Sequence, residues 1–117
     1  MENSSKCRRG VTETFKGEVW LAYDKKSKKA RPFLVMSEEL TGVDVDITVA
    51  PTTTHEKRNK FDIDIEFWEE AGLTGPSVAR CSKIHYIHYI QLIRKLGRLN
   101  EKDLLRVNDV VRAYLGL

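Results

Sequence analysis

Cysteine is scarce in this chain. Two residues, Cys7 in a polar stretch and Cys81 in an apolar one, are too few for a disulfide framework and lack the clustered spacing of a zinc site. Three histidines do not repair this, because His85 and His88 stand three apart in a strand-like run and would face opposite sides. No metal and no cofactor is expected. Long apolar runs are missing too: nothing approaches a bilayer-spanning length, and Met1 to Gly10 carries basic residues without the apolar core of a signal peptide. The expectation is a cytoplasmic chain with no membrane partner. Charge of one sign is not in large excess, at +3 net, so the total does not announce a nucleic-acid binder and the distribution must decide.

What is present suits one soluble domain: 117 residues, 41% apolar and 32% charged, enough for a single core. Residues 1–16 are polar and unpatterned and are expected to form a flexible leader, with 17–117 as the domain. Glu18 to Tyr23 is dense in strand formers. The next stretch, Asp24 to Arg31, holds four lysines and one arginine against a single acid and must be an exposed loop. Pro32 cannot donate to a ladder, so a strand from Phe33 to Ser37 should begin beside it. Strict alternation then predicts half-buried strands over Val43–Val49, ending at Pro51, and over Phe61–Phe67, where Asp62, Asp64 and Glu66 take the polar face. Ser77–Ile87 and Arg94–Leu99 complete the strands, with a stop or bulge near Tyr89. Asn100 as N-cap, helical spacing of Leu104, Val107, Val111 and Tyr114, and Gly116 as stop predict a terminal amphipathic helix. The fold class is α+β: a curved antiparallel sheet or small barrel with the helix packed on it.

Chemistry is expected at Ile47–His55, where a strand runs through Pro51 into Thr52, Thr53, Thr54 and His55. A plain turn would more often use glycine, asparagine or aspartate. Charge gathers on two loops, Lys25, Lys26, Lys28, Lys29 and Arg31 on one and Lys57, Arg58 and Lys60 on the other, as a rim for a phosphate backbone.

The order of these features, Gly17-x-Val19-Trp20, Arg31-Pro32, Val49-Ala-Pro-Thr-Thr-Thr54, Gly72-Leu73 with Ser77-Val78, and Gly97-Arg-Leu-Asn-Glu-Lys-Asp-Leu104, resembles the MazF/PemK (Kid) family of bacterial toxins over Gly17–Leu117. The resemblance implies an SH3-like small antiparallel β-barrel with a C-terminal α-helix and a homodimer. It also implies a metal-independent endoribonuclease that cuts single-stranded RNA, mRNA above all, at short sequences. Cleavage would leave a 2′,3′-cyclic phosphate and a 5′-hydroxyl, and an antitoxin would block it. By the same resemblance Arg31 and Thr53 are catalytic, Thr54 is the polar residue beside them, and Arg80 is a second arginine. Ser82 departs from the pattern, because many members carry an acid there, assigned in some as general base, and a serine hydroxyl has no useful basicity near neutral pH.

Metal-free cleavage needs a base for the 2′-hydroxyl, cationic donors for the phosphorane oxygens, and a proton for the leaving oxygen. Arginine suits the second task, since its planar fork matches phosphate and stays charged. Thr53 and Thr54 can orient the phosphate. With Ser82 unable to act as base, His55 is the simplest replacement, and Glu56 and His85 are further options. Tyr86 and Tyr89 are either base-stacking or core aromatics. The expected protein partner is an antitoxin whose acidic or disordered C-terminal segment folds onto the basic groove. Two other readings stay open: a non-catalytic RNA- or protein-binding member of the fold, and a CcdB-like gyrase poison.

Overall fold

A computed structural model describes residues 7–8 and 11–117. Its first strands are β1 (Cys7–Arg8) and β2 (Val11–Thr14), which pair antiparallel, and β2 pairs in turn with β5 (Leu40–Gly42). Part of the segment expected as a leader is therefore sheet. Polar composition hid this strand because its inward residues are Thr12 and Thr14, both buried.

The main sheet is antiparallel throughout and runs β10 (Leu92–Arg98), β3 (Glu18–Asp24), β4 (Lys29–Val35), β6 (Asp46–Thr53), β8 (Ser77–Arg80), β7 (Asp62–Ile65), with β9 (His85–His88) also paired to β6. Both its faces are buried. Val19, Leu34, Ala50 and Ala79 point to the helix side, whereas Trp20, Phe33, Val35, Ile47, Val49 and Ile87 pack on the other. Alternation along each strand does this, sending neighbours to opposite cores. Among the described residues β10 and β7, the two ends of the path, do not pair, so the sheet is not closed into a barrel.

Helix α1 (Glu101–Leu115) starts and stops where capping chemistry predicts: the Asn100 side chain accepts from the Lys102 amide at 2.9 Å, and Gly116 takes a left-handed φ of 77°. Val107 is fully buried, with Leu104, Val110 and Val111 around it. The helix is tied to the sheet by Asp103, whose carboxylate accepts from the amides of Glu66 at 3.1 Å and Phe67 at 2.9 Å. No helix among the described residues is long and apolar enough to cross a membrane.

Several strand boundaries differ from expectation, among them Phe61–Phe67, observed as Asp62–Ile65, and Arg94–Leu99, observed as Leu92–Arg98. The strand predicted to start at Phe33 starts at Lys29, because the hairpin turns tightly at Lys28, where φ is 60° and the amide donates to Asp24 O at 2.7 Å. The alternation over Val43–Val49 is broken at Asp44, whose φ of 58° turns the chain and leaves Val43 exposed. At its far end β6 continues through Pro51 to Thr53. Ser77–Ile87 divides into β8 and β9, and the stop expected near Tyr89 is a 3-10 turn, Tyr89–Gln91.

Candidate functional site

The candidate residues gather where β6 changes partners. On one side β6 pairs with β4, Phe33 opposite Pro51. On the other it pairs with β9 as far as Val49 opposite His85, and with β8 from Thr52 opposite Ala79. Pro51 falls between. The Met36 amide donates to Thr48 O, so by alternation Phe33–Pro51 is a non-hydrogen-bonded pair and the proline nitrogen points away from β4 into that gap. The missing N–H therefore removes no ladder bond, and this is why a strand survives a proline that usually ends one.

Register then assigns faces. Arg31 lies two residues from Phe33, Thr53 two from Pro51 and four from Val49, and Val78, two from Arg80, pairs with Thr53. His85 pairs with Val49. All of them share the face that Phe33 and Val49 bury further along, so Arg31, Thr53, Arg80 and His85 form the polar margin of that core. Thr52 takes the opposite face, and its hydroxyl donates to Pro32 O at 3.0 Å, tying β6 to the Arg31-Pro32 junction.

Each of these side chains is held differently. Arg31 is half exposed; its Nε donates to Ser27 Oγ at 2.9 Å, and Ser27 Oγ donates to Asp24 Oδ2 at 2.8 Å. Asp24 Oδ2 is itself 3.7 Å from Arg31 Nε. Burial disfavours the Asp24 charge, but the Ser27 hydroxyl, the Lys26 and Ser27 amides and the Arg31 charge outweigh it and hold the carboxyl below its ordinary range. This anionic backing holds the Nε edge of Arg31.

Thr53 Oγ1 accepts from the His55 amide at 3.1 Å, which leaves its hydroxyl proton available to a ligand. Thr54 and His55 are exposed on the bend that follows. His85 is exposed, its Nδ1 is 3.0 Å from Lys83 O, and its ring stands edge-on to Phe33 with centroids 5.7 Å apart. Ser82 is half buried in the turn between β8 and β9. On the rim Lys28, Lys29 and Arg58 are exposed, whereas Lys57 Nζ is 3.3 Å from Asp64 Oδ2. Tyr86 is 61% exposed and meets His88 edge-on, and His88 Nδ1 lies 2.6 Å from Asp46 Oδ1. Tyr89 packs half buried against the second core.

One residue was assigned wrongly by sequence. Alternation put Asp62 on a solvent face, but its side chain is 1% exposed. It lies directly across the β7–β8 ladder from Arg80, with Oδ2 at 3.7 Å from Arg80 Nε, and accepts from the Arg58 amide at 2.8 Å. Burial, with the Asp62 charge adding to it, pushes the neighbouring Cys81 thiol up to about 11. No group of three His, Cys, Asp or Glu side chains among the described residues is arranged to hold a metal ion.

A wrapped antiparallel sheet with one C-terminal helix is an architecture that this chain shares with a solved bacterial toxin. The Mycobacterium tuberculosis toxin MazF-mt6 superposes with a TM-score of 0.71 at 25% identity, covering 86% of this chain and 97% of its own. An endoribonuclease from a mycobacterial species, solved with its cognate antitoxin, has the same fold, with a TM-score of 0.70 at 17% identity over 89% of this chain and 96% of that one. In sequence, a protein named "Probable endoribonuclease MazF" from Mycolicibacterium smegmatis is 28% identical over 90 residues, 76% of this chain and 83% of that protein. Residues 16–115 match the family described as PemK-like, MazF-like toxin of type II toxin-antitoxin system, and the chain belongs to that family.

Proposed function

We propose that the chain is the toxin of a type II toxin-antitoxin pair and acts as a metal-independent endoribonuclease on single-stranded RNA. The observation that carries this reading is the shared face of Arg31, Thr53 and Arg80 beside the gap at Pro51. Two guanidiniums and a hydroxyl on one margin suit a phosphodiester whose charge grows as it reacts. The 2′-oxygen attacks phosphorus as its proton passes to a base, the P–O2′ bond forms, and the P–O5′ bond breaks as the 5′-oxygen takes a proton. The products are a 2′,3′-cyclic phosphate and a 5′-hydroxyl. Arg31 and Arg80 bind the non-bridging oxygens, and Thr53 and Thr54 orient the phosphate. Ser82 and His85 line the margin, and Lys28, Lys29, Lys57 and Arg58 hold the flanking backbone.

His55 is the base in this reading. Its motivation is its place two residues beyond Thr53, with its amide fixed on the Thr53 hydroxyl. The reading extends to a cytoplasmic homodimer, each wrapped sheet being an opened SH3-like barrel. An antitoxin with an acidic, partly disordered C-terminal segment would inhibit by covering the basic margin.

The test is to incubate the purified protein in EDTA with a long RNA and map the ends. Discrete cuts bearing 5′-hydroxyls are expected, and Arg31→Ala or Thr53→Ala should lower the rate by about 10²–10³-fold, the loss typical of one transition-state donor. No cleavage of any RNA, with salt-dependent binding retained, would leave a binding module instead. A His55→Gln variant that cleaves at the wild-type rate would remove His55 as the base.

A further inference from the structure

We propose that Asp62 is a positioning residue for Arg80, a role that rests on the ribonuclease reading and deepens it. The two residues are direct cross-strand partners on the β7–β8 ladder, so their side chains leave the sheet on one face and side by side. Both are largely removed from water, at 1% and 18% exposure. Their attraction is therefore little screened, unlike that of the exposed pair between Asp64 on the same strand and Lys57 on the loop before it.

The polar accounting of this pair is incomplete. Asp62 Oδ2 accepts from the Arg58 amide, but among the described residues neither its buried Oδ1 nor the buried Arg80 Nε has a hydrogen-bond partner. At 3.7 Å the Nε–Oδ2 contact is an ion pair and not a hydrogen bond. A buried carboxylate with one idle oxygen beside a buried guanidinium with one idle donor is costly, and packing alone would favour an apolar residue there. Closing the 3.7 Å Nε–Oδ2 separation by a rotation of the guanidinium would give Nε–H a carboxylate acceptor. That pairing would fix the plane of the fork, on the face that Arg80 shares with Thr53.

Asp62 is also tied to the basic loop. Among the described residues strand β7 is an edge, paired only with β8, and the amide of Arg58 on the basic loop holds the Asp62 carboxylate from outside the ladder.

The test uses a mapped RNA substrate and four proteins: wild type, Asp62→Asn, Arg80→Ala and the double variant. Asp62→Asn is expected to lower kcat by about 10- to 100-fold, the scale of a misplaced group, with KM changed by less than about twofold. In the Arg80→Ala background it should have no further effect on kcat, which a merely structural role would not produce. Asp62→Glu keeps the charge should the amide variant fail to fold, and is expected to lose less, again with no effect once Arg80 is gone. Relaxation of the Arg80 15Nε–H signal reads the pairing without any cleavage: it should be ordered in the wild type and mobile in Asp62→Asn. An additive loss in the double variant, or an Arg80 Nε equally ordered without the carboxylate, overturns the proposal. If the wild type cleaves no RNA, the ribonuclease reading fails on its own and the Nε signal still decides whether Asp62 holds Arg80.

Discussion

Replacing Asp103 with alanine separates the helix from the sheet at one point. Asp103 is fully buried in the first turn of α1, and its two oxygens accept from the amides of Glu66 and Phe67, in the turn that follows β7. Hydrogen bonds to a charged acceptor contribute about 1.5–3 kcal/mol each, so losing two costs about 3–6 kcal/mol. An acid near a helix N-terminus adds about 0.3–1 kcal/mol. The Arg106 contact to the same carboxylate is half exposed and contributes about 0–1 kcal/mol. Against these losses, the variant no longer desolvates a carboxylate, which offsets part of them. The net expectation is a destabilisation of about 3–5 kcal/mol, a large share of the stability of a domain this size. Urea unfolding followed by tryptophan fluorescence reads it through Trp20, fully buried, and Trp68, packed at the edge of the helix-side core. The midpoint should fall at constant m-value, with Asp103→Asn intermediate because its amide oxygen still accepts one amide. A midpoint loss worth less than about 1 kcal/mol would refute the reasoning, since it would mean that water or Arg106 satisfies both amides without the carboxylate.

Other perturbations follow from the same contacts. Gly97→Ala would put a Cβ 2.6 Å from the Ala71 carbonyl carbon, backbone that cannot yield, so a loss of more than about 2 kcal/mol is expected in the same unfolding assay. Cys81, its thiol raised to about 11 from 9.0, stays protonated in the fold while the unfolded chain ionises. Stability from this group should therefore be intact below pH 9, fall as pH rises toward 11 and then level off, and the change should vanish in Cys81→Ala. For single-stranded RNA binding measured against salt, Lys28→Ala and Lys29→Ala should each flatten the log–log slope by about 0.7, and Lys57→Ala by less because Asp64 already competes for that charge.

The helix and most strands were legible because their signals are local. Asn100, Gly116 and the spacing of Leu104, Val107 and Val111 each act within a few residues, and Glu18–Asp24 needs only its own strand formers. Besides the local turns at Lys28 and Asp44, what failed depended on distant chain. Thr12 and Thr14 look like tail residues until Leu40–Gly42 pairs with their strand. Asp62 looks like the polar side of an amphipathic strand until Arg58 and Arg80 approach it from two other segments. Arg31 was marked by its proline, but the Ser27–Asp24 relay behind it exists only once the hairpin is closed.

Pro51 explains why the margin is open at all. The nitrogen of residue 51 points into the space between His85 on β9 and Ala79 on β8, and an ordinary N–H there would need a partner. Proline has no proton to satisfy, so β6 can exchange β9 for β8 without closing the space between them. Thr53 and Arg80 then stand on one side of that gap and His85 on the other, with Arg31 reaching the same face from β4. The proline that first read as the end of a strand is the residue that lets the strand pass beside the candidate site.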